Sequence, residues 1–161
     1  MNTKNKIRFQ KKMLNPIFFK LFLILKLPLA FLAGVKLKTL NNTHSTVQLK
    51  YNYLNKNPFK SIYFAALSMA GELASGILAA SFIYKKTPQV SMLVVGLKIE
   101  FSKKAVGLIN FSCNQGKEIQ NCINKSLATK EGQTIEIITT AIDQEGDVVA
   151  IFNVKWSFKS K

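Results

Sequence analysis

One histidine, one arginine and two cysteines are all that 161 residues offer to several common chemistries. Cys113 and Cys122 lie nine positions apart with no CxxC pair, so a metal site lacks ligands. They read as reduced thiols of a cytoplasmic protein rather than as a disulfide framework. A Ser-His-Asp or Cys-His arrangement would have to rest on His44, and the polar run around it, NNTHST, reads as a turn between strands. Acidic residues are scarce as well, 8 against 23 basic, which leaves a formal charge of +15. That field draws nucleic acid, anionic lipid and phosphorylated cofactors alike, so its sign does not choose among them. The lysines form no dense tract and there is no Arg-Gly repeat, so nucleic acid is not an expected partner.

Uninterrupted apolar length is missing from the N-terminal region too. NPIFFKLFLILKLPLAFLAGV, Asn15 to Val35, has the look of a signal peptide or anchor, but Lys20 and Lys26 keep every apolar run below ten residues. Ala30 and Ala33 are one step too far apart for an A-x-A cleavage site. Asn15 before Pro16 is a good helix start, Pro28 should kink or restart the helix, and Gly34 should end it. Residues 13–34 are therefore expected as a helix packed on the domain. A weak peripheral membrane contact and a signal peptide or membrane anchor are the alternatives. Residues 1–12, basic and polar, are expected to be flexible.

What is present is a 24-residue apolar stretch, SIYFAALSMAGELASGILAASFIY, with Glu72 as its one charge. Its length would cross a bilayer. Half of it is Ala, Gly or Ser, however, and the stripe Gly71, Ser75, Gly76 and Ala80 suits close packing in a buried helix. An unpaired carboxylate there must be compensated or used.

Around this stretch the period changes to two. Val47, Leu49, Tyr51 and Tyr53 alternate with polar residues, as in a half-buried strand. VSMLVVGLKIEF and AVGLINFS read as strands joined at Lys103 and Lys104. A short helix follows, with Ile119, Cys122, Ile123 and Leu127 on one side. QTIEIITTAI and VVAIFNVKWSF, joined by the turn DQEGD, complete the set, and Val148, Ala150, Phe152, Val154, Trp156 and Phe158 share one face of the last strand. The predicted fold class is α+β: a six-stranded antiparallel sheet over residues 35–161, wrapped around a long central helix, with an extra N-terminal helix.

This order resembles the hotdog fold. NPFKSIYFAALSMAGELASG, Asn57 to Gly76, is similar to the corresponding segment of PaaI-like acyl-CoA thioesterases. With Asn15-Pro16, Leu27-Pro28 and the closing Trp156 to Lys159, the chain resembles the DUF4442 branch of that superfamily still more closely. PaaI-type enzymes show an Asn, a His-Gly-Gly turn six residues on, and an acidic residue fifteen after the Asn. Asn57 and Glu72 take the outer positions, while Tyr63, Phe64 and Ala65 replace His-Gly-Gly. The resemblance implies that backbone donors at Tyr63 to Ala65 polarise a thioester carbonyl, although Phe64 and Ala65 add side chains where it would approach.

The resemblance implies hydrolysis of an acyl-CoA or other acyl thioester, with Glu72 as base or nucleophile and Asn57 as its catalytic partner. Substrate contacts would come from Tyr63, Phe64, Ala65 and Ser75, with Lys103 and Lys104 meeting the phosphates of coenzyme A. No cofactor is called for beyond the coenzyme A of the substrate. A homodimer or homotetramer is implied, with sites between subunits. A non-catalytic acyl or acyl-CoA binding protein is the alternative function. Apart from the resemblance, Glu72 also reads as a residue that pairs with a lysine or caps a polar network at a subunit interface, Asn57 as a turn or N-cap residue, Tyr63 as core, Ser75 as small-residue packing, and the two lysines as a solvated turn.

Overall fold

The computed structural model describes residues 3–161. Three helices open the chain, α1 (Thr3–Leu14), α2 (Pro16–Lys26) and α3 (Pro28–Ala33). Asn15 caps α2: its side-chain oxygen accepts from the N–H groups of Ile17 and Phe18 at 3.0 and 3.3 Å, and Pro16 takes the first helical position. Pro28 restarts the chain as α3, and Gly34 closes it at φ +87°, a left-handed conformation that suits glycine. The single helix expected over 13–34 is thus divided: Met13 and Leu14 end α1, and α2 and α3 follow as separate helices because Pro28 cannot continue α2.

Of the segment expected to be flexible, residues 3–12 are helical, and residues 1 and 2 lie outside the described residues. Lys6, Phe9, Gln10 and Met13 recur at helical spacing and are buried. The Phe9 ring meets Tyr84 at 5.0 Å, so tertiary packing stabilises a helix whose composition alone would fray.

The sheet comprises β1 (Lys36–Leu40), β2 (Ser45–Lys50), β3 (Val90–Phe101), β4 (Leu108–Cys113), β5 (Gln133–Ile142) and β6 (Val148–Ser160). All neighbours are antiparallel, in the order β1-β2-β4-β5-β6-β3. His44 sits in the β1–β2 turn, where the Asn41 side chain accepts from the N–H groups of Thr43 and His44. Helix α5 (Gly116–Thr129) packs on β5 and β6 through Ile119 and Ile123. Two details of the alternation differ from expectation. Tyr53 is exposed because β2 ends at Lys50, and a bulge between β5 and β6 turns Val149 inward and leaves Val148 exposed.

Helix α4 (Phe64–Ile83) lies in the concave face against β2, β4, β5 and β6. Among the described residues it is the one helix long and apolar enough to cross a bilayer, yet 72% of its apolar window is buried in the protein. Its small residues set how closely β6 approaches: a Cβ on Gly71 would come within 2.6 Å of the Phe152 ring. The N-terminal helices cover one flank, α1 touching β1 and α4, and α3 touching α4.

Candidate active site

Glu72 lies two turns into α4, half-buried, with its Oε1 beside Gly76 and the edge of the Trp156 ring. Ser75, one turn on, accepts from the Trp156 indole N–H at 2.9 Å and donates to the backbone carbonyl of Glu72 at 3.0 Å. The hydroxyl therefore fixes the helix to β6 and does not touch the carboxylate. Among the described residues the Glu72 carboxylate has no ion pair and no side-chain hydrogen bond, and burial pushes its pKa up to about 7. It faces a cavity of about 320 Å³ bounded by Met69 and Leu73 of α4 and by Lys26 to Ala30 at the α2–α3 junction. Lys26 lines that cavity without bonding Glu72.

A second cleft, of about 480 Å³, lies at the start of α4. Asn57, Tyr63, Phe64, Lys103 and Lys104 line it together with Phe101 at the end of β3. Tyr63 is the N-cap residue of α4 and offers no side-chain cap, so the N–H groups of Phe64 and Ala65 have no partner among the described residues. Two free donors at the positive end of a helix can hold a developing oxyanion. Phe64 is 53% exposed, and its ring leans on Tyr63 at 4.8 Å, edge to face.

The family model described as a domain of unknown function, DUF4442, matches residues 16–158. The chain belongs to the DUF4442 family. No curated protein matches it in sequence. Among solved structures, PA5026 of Pseudomonas aeruginosa, described as a protein of unknown function and probable thioesterase, superposes with a TM-score of 0.77. The two chains are 18% identical, over 91% of this one and 97% of that one. PaaI of the E. coli phenylacetic acid degradation operon gives 0.64 at 12% identity, over 95% and 96%. A thioesterase enzyme of Staphylococcus aureus, SAV0944, gives 0.61 at 12%, over 79% and 94%. Two variants of that enzyme replace a glutamine and a glutamate that stand fifteen positions apart. Likeness at these identities speaks for the fold, and it is the hotdog fold.

In this DUF4442 chain the expected site residues divide between the two cavities. Asn57 is occupied locally: its oxygen accepts from the N–H groups of Phe59 and Ser61, and its amide donates to Ser61 Oγ at 3.0 Å. It shapes the loop before α4. Lys103 is not a free phosphate ligand either, because its ammonium meets Asp143, Glu145 and Asp147 at 2.7–2.8 Å. Those carboxylates raise its pKa and occupy its donors, Asp143 first among them. Lys104 is exposed beside it. Tyr63 is half-exposed at the cleft, not core.

Sequence reasoning missed the wall opposite Glu72. Leu27 and Pro28 read as helix punctuation, and nothing in their spacing tied them to a carboxylate far along the chain. Asn55 was missed as well: buried before α4, it donates to the carbonyls of Ala33 and Lys50 at 2.9 and 2.8 Å and so joins α3 to the loop. Cys113 and Cys122 carry free thiols, and burial pushes Cys113 up to about 11, far from nucleophilic use at neutral pH.

Proposed function

We propose that the protein is an acyl-CoA thioesterase-like hydrolase whose site is completed between two copies of the chain. The observation that carries this reading is the unpaired Glu72 carboxyl in an apolar cavity, with a pKa near neutrality. Eight residues of helix separate Phe64 from Glu72, roughly 12 Å along the axis. Donors and base of one chain therefore do not reach one carbonyl, and a partner's helix must supply the other half.

Two features support a two-fold dimer. Strand β3 is a free edge. On its concave face, Leu97 and Phe101 are 46% and 48% exposed where α4 does not reach. The proposed step is hydrolysis. Glu72 takes a proton from water as the oxygen bonds to the thioester carbon, and the N–H groups of Phe64 and Ala65 hold the oxyanion. The C–S bond then breaks, and the thiolate leaves with the proton returned from Glu72. Asn57 acts by holding the loop that presents these donors. The fifteen-residue separation of Asn57 and Glu72 equals that of the two residues replaced in the S. aureus thioesterase. Lys104 is the remaining candidate for a coenzyme A phosphate, and two free thiols suit a cytoplasmic setting.

The second reading, a non-catalytic acyl-CoA binding protein, draws on the substitution of Gly-Gly by Phe64-Ala65. Turnover of an acyl-CoA panel, followed with a thiol reagent and compared with Glu72→Gln, separates the two. Thiol release that the variant abolishes supports the hydrolase. Binding without release supports the second reading.

A further inference from the structure

Helix α2 docks through a narrow stripe. Phe19 and Leu23 are buried against the domain, while Ile17, Leu21, Ile24 and Leu25 form a second apolar stripe that points outward. Ile17 is 76% and Leu25 66% exposed. Leu29 and Leu32 of α3 extend the same exposed apolar surface, at 67% and 53%. A contiguous apolar surface of this kind marks a contact with something outside the chain. Its setting is cationic. No acidic residue occurs before Glu72, whereas twelve basic ones do. Lys20 and Lys26 are exposed on α2, and Lys11 and Lys12 are exposed at the end of α1 just before it, with the Lys12 ammonium 5.3 Å from the Phe18 ring centre.

We propose that the outer face of α2 and α3 is a membrane-contact surface that inserts shallowly into an anionic bilayer, with its lysines at the level of the lipid phosphates. Apolar side chains that enter the acyl region, beside lysines whose stems run upward to the headgroups, are the two components such binding needs. A second copy of the chain is a poor occupant, because a symmetric contact would set the lysines of one α2 against those of the other. The exposed stripe holds no Trp, Tyr or Arg, the side chains that anchor most protein contacts. Leu27, Pro28 and Leu29 belong to the same surface and also wall the Glu72 cavity, so an acyl chain could pass from the bilayer toward Glu72. That route alone rests on the thioesterase reading; the membrane contact does not.

Flotation of the full chain with vesicles tests the contact and needs no turnover. Vesicles of phosphatidylcholine with about one-third phosphatidylglycerol should bind at least ~10-fold more protein than phosphatidylcholine alone, and added salt should narrow the difference. The triple variant Leu21→Gln, Leu25→Gln, Leu32→Gln should lower binding to the anionic vesicles by about 10-fold or more. Its circular dichroism and urea midpoint should match the parent's, since all three side chains are exposed. Lys11→Glu with Lys12→Glu should weaken binding as well. Failure of the parent to float with anionic vesicles overturns the proposal. So does a triple variant that floats like the parent, because charge alone would then hold the protein. A triple variant that falls to a smaller mass in light scattering overturns it too, by assigning the face to a second copy. Absence of thioesterase activity would leave the flotation result standing.

Discussion

The indole N–H of Trp156 donates to Ser75 Oγ at 2.9 Å, inside the protein and one turn past Glu72. This bond joins the last strand to the central helix, and both partners are buried. Ser75→Ala should leave the indole N–H without an acceptor and lower stability by about 1–3 kcal/mol in urea denaturation. Ser75→Thr, which keeps the hydroxyl but adds a methyl group, should recover only part of that loss.

Glu72→Gln keeps the shape and removes the charge. Turnover of acyl-CoA should drop by roughly 100-fold or more, the scale of a lost general base. The pH dependence has a defined sign. The folded carboxyl has a raised pKa, about 7 against 4.5, so the folded state holds a proton that the unfolded state has released across that window. Stability of the parent should therefore fall as pH rises from 4.5 through 7, by on the order of 2 kcal/mol after screening at a half-buried site. Glu72→Gln should flatten this slope and be the more stable protein at pH 8. A parallel pair of stability curves would show that Glu72 is not perturbed.

Two glycines of α4 should respond differently to alanine. At Gly71 the new Cβ would lie 2.6 Å from the Phe152 ring, and net destabilisation of about 1–2 kcal/mol is expected after the gain in helix propensity. At Gly76 it would lie 3.1 Å from Glu72 Oε1, the mobile end of a side chain that borders a cavity, and 3.3 Å from the Trp156 ring, a tight contact that the gain in helix propensity offsets. Gly76→Ala should leave the denaturation midpoint nearly unchanged and reduce turnover by displacing the carboxylate.

Lys103 and Lys104 should separate in kinetics. Lys103→Ala should leave the KM for acyl-CoA within about twofold, because its ammonium already serves three carboxylates, while Lys104→Ala should raise it several-fold as a phosphate contact is lost. The opposite order would return Lys103 to the substrate site.

Light scattering should report at least twice the mass of one chain at micromolar concentration, and Leu97→Lys on the free edge should yield a monomer without turnover. A monomeric parent that hydrolyses thioesters would defeat the composite site.

The sequence by itself determined the elements from α2 onward, whereas α1 depends on packing such as that of Phe9 on Tyr84. Asn15, Pro16, Pro28 and Gly34 punctuate the N-terminal helices through local backbone constraints, and the two-residue period of β2, β3 and β6 follows from alternate faces of a strand. It also marked Glu72, since a single charge in 24 apolar residues stands out in one dimension. Tertiary structure alone decided what surrounds that charge. Leu27 and Pro28 reach Glu72 only because α3 folds back onto α4, Lys103 is taken by carboxylates from the β5–β6 turn, and α2 turns its second apolar stripe outward. Local pattern governs which residues form a helix or strand. Which of two apolar faces is buried, and which lysine is already paired, depends on contacts between segments far apart in the chain, and no spacing along the sequence encodes them.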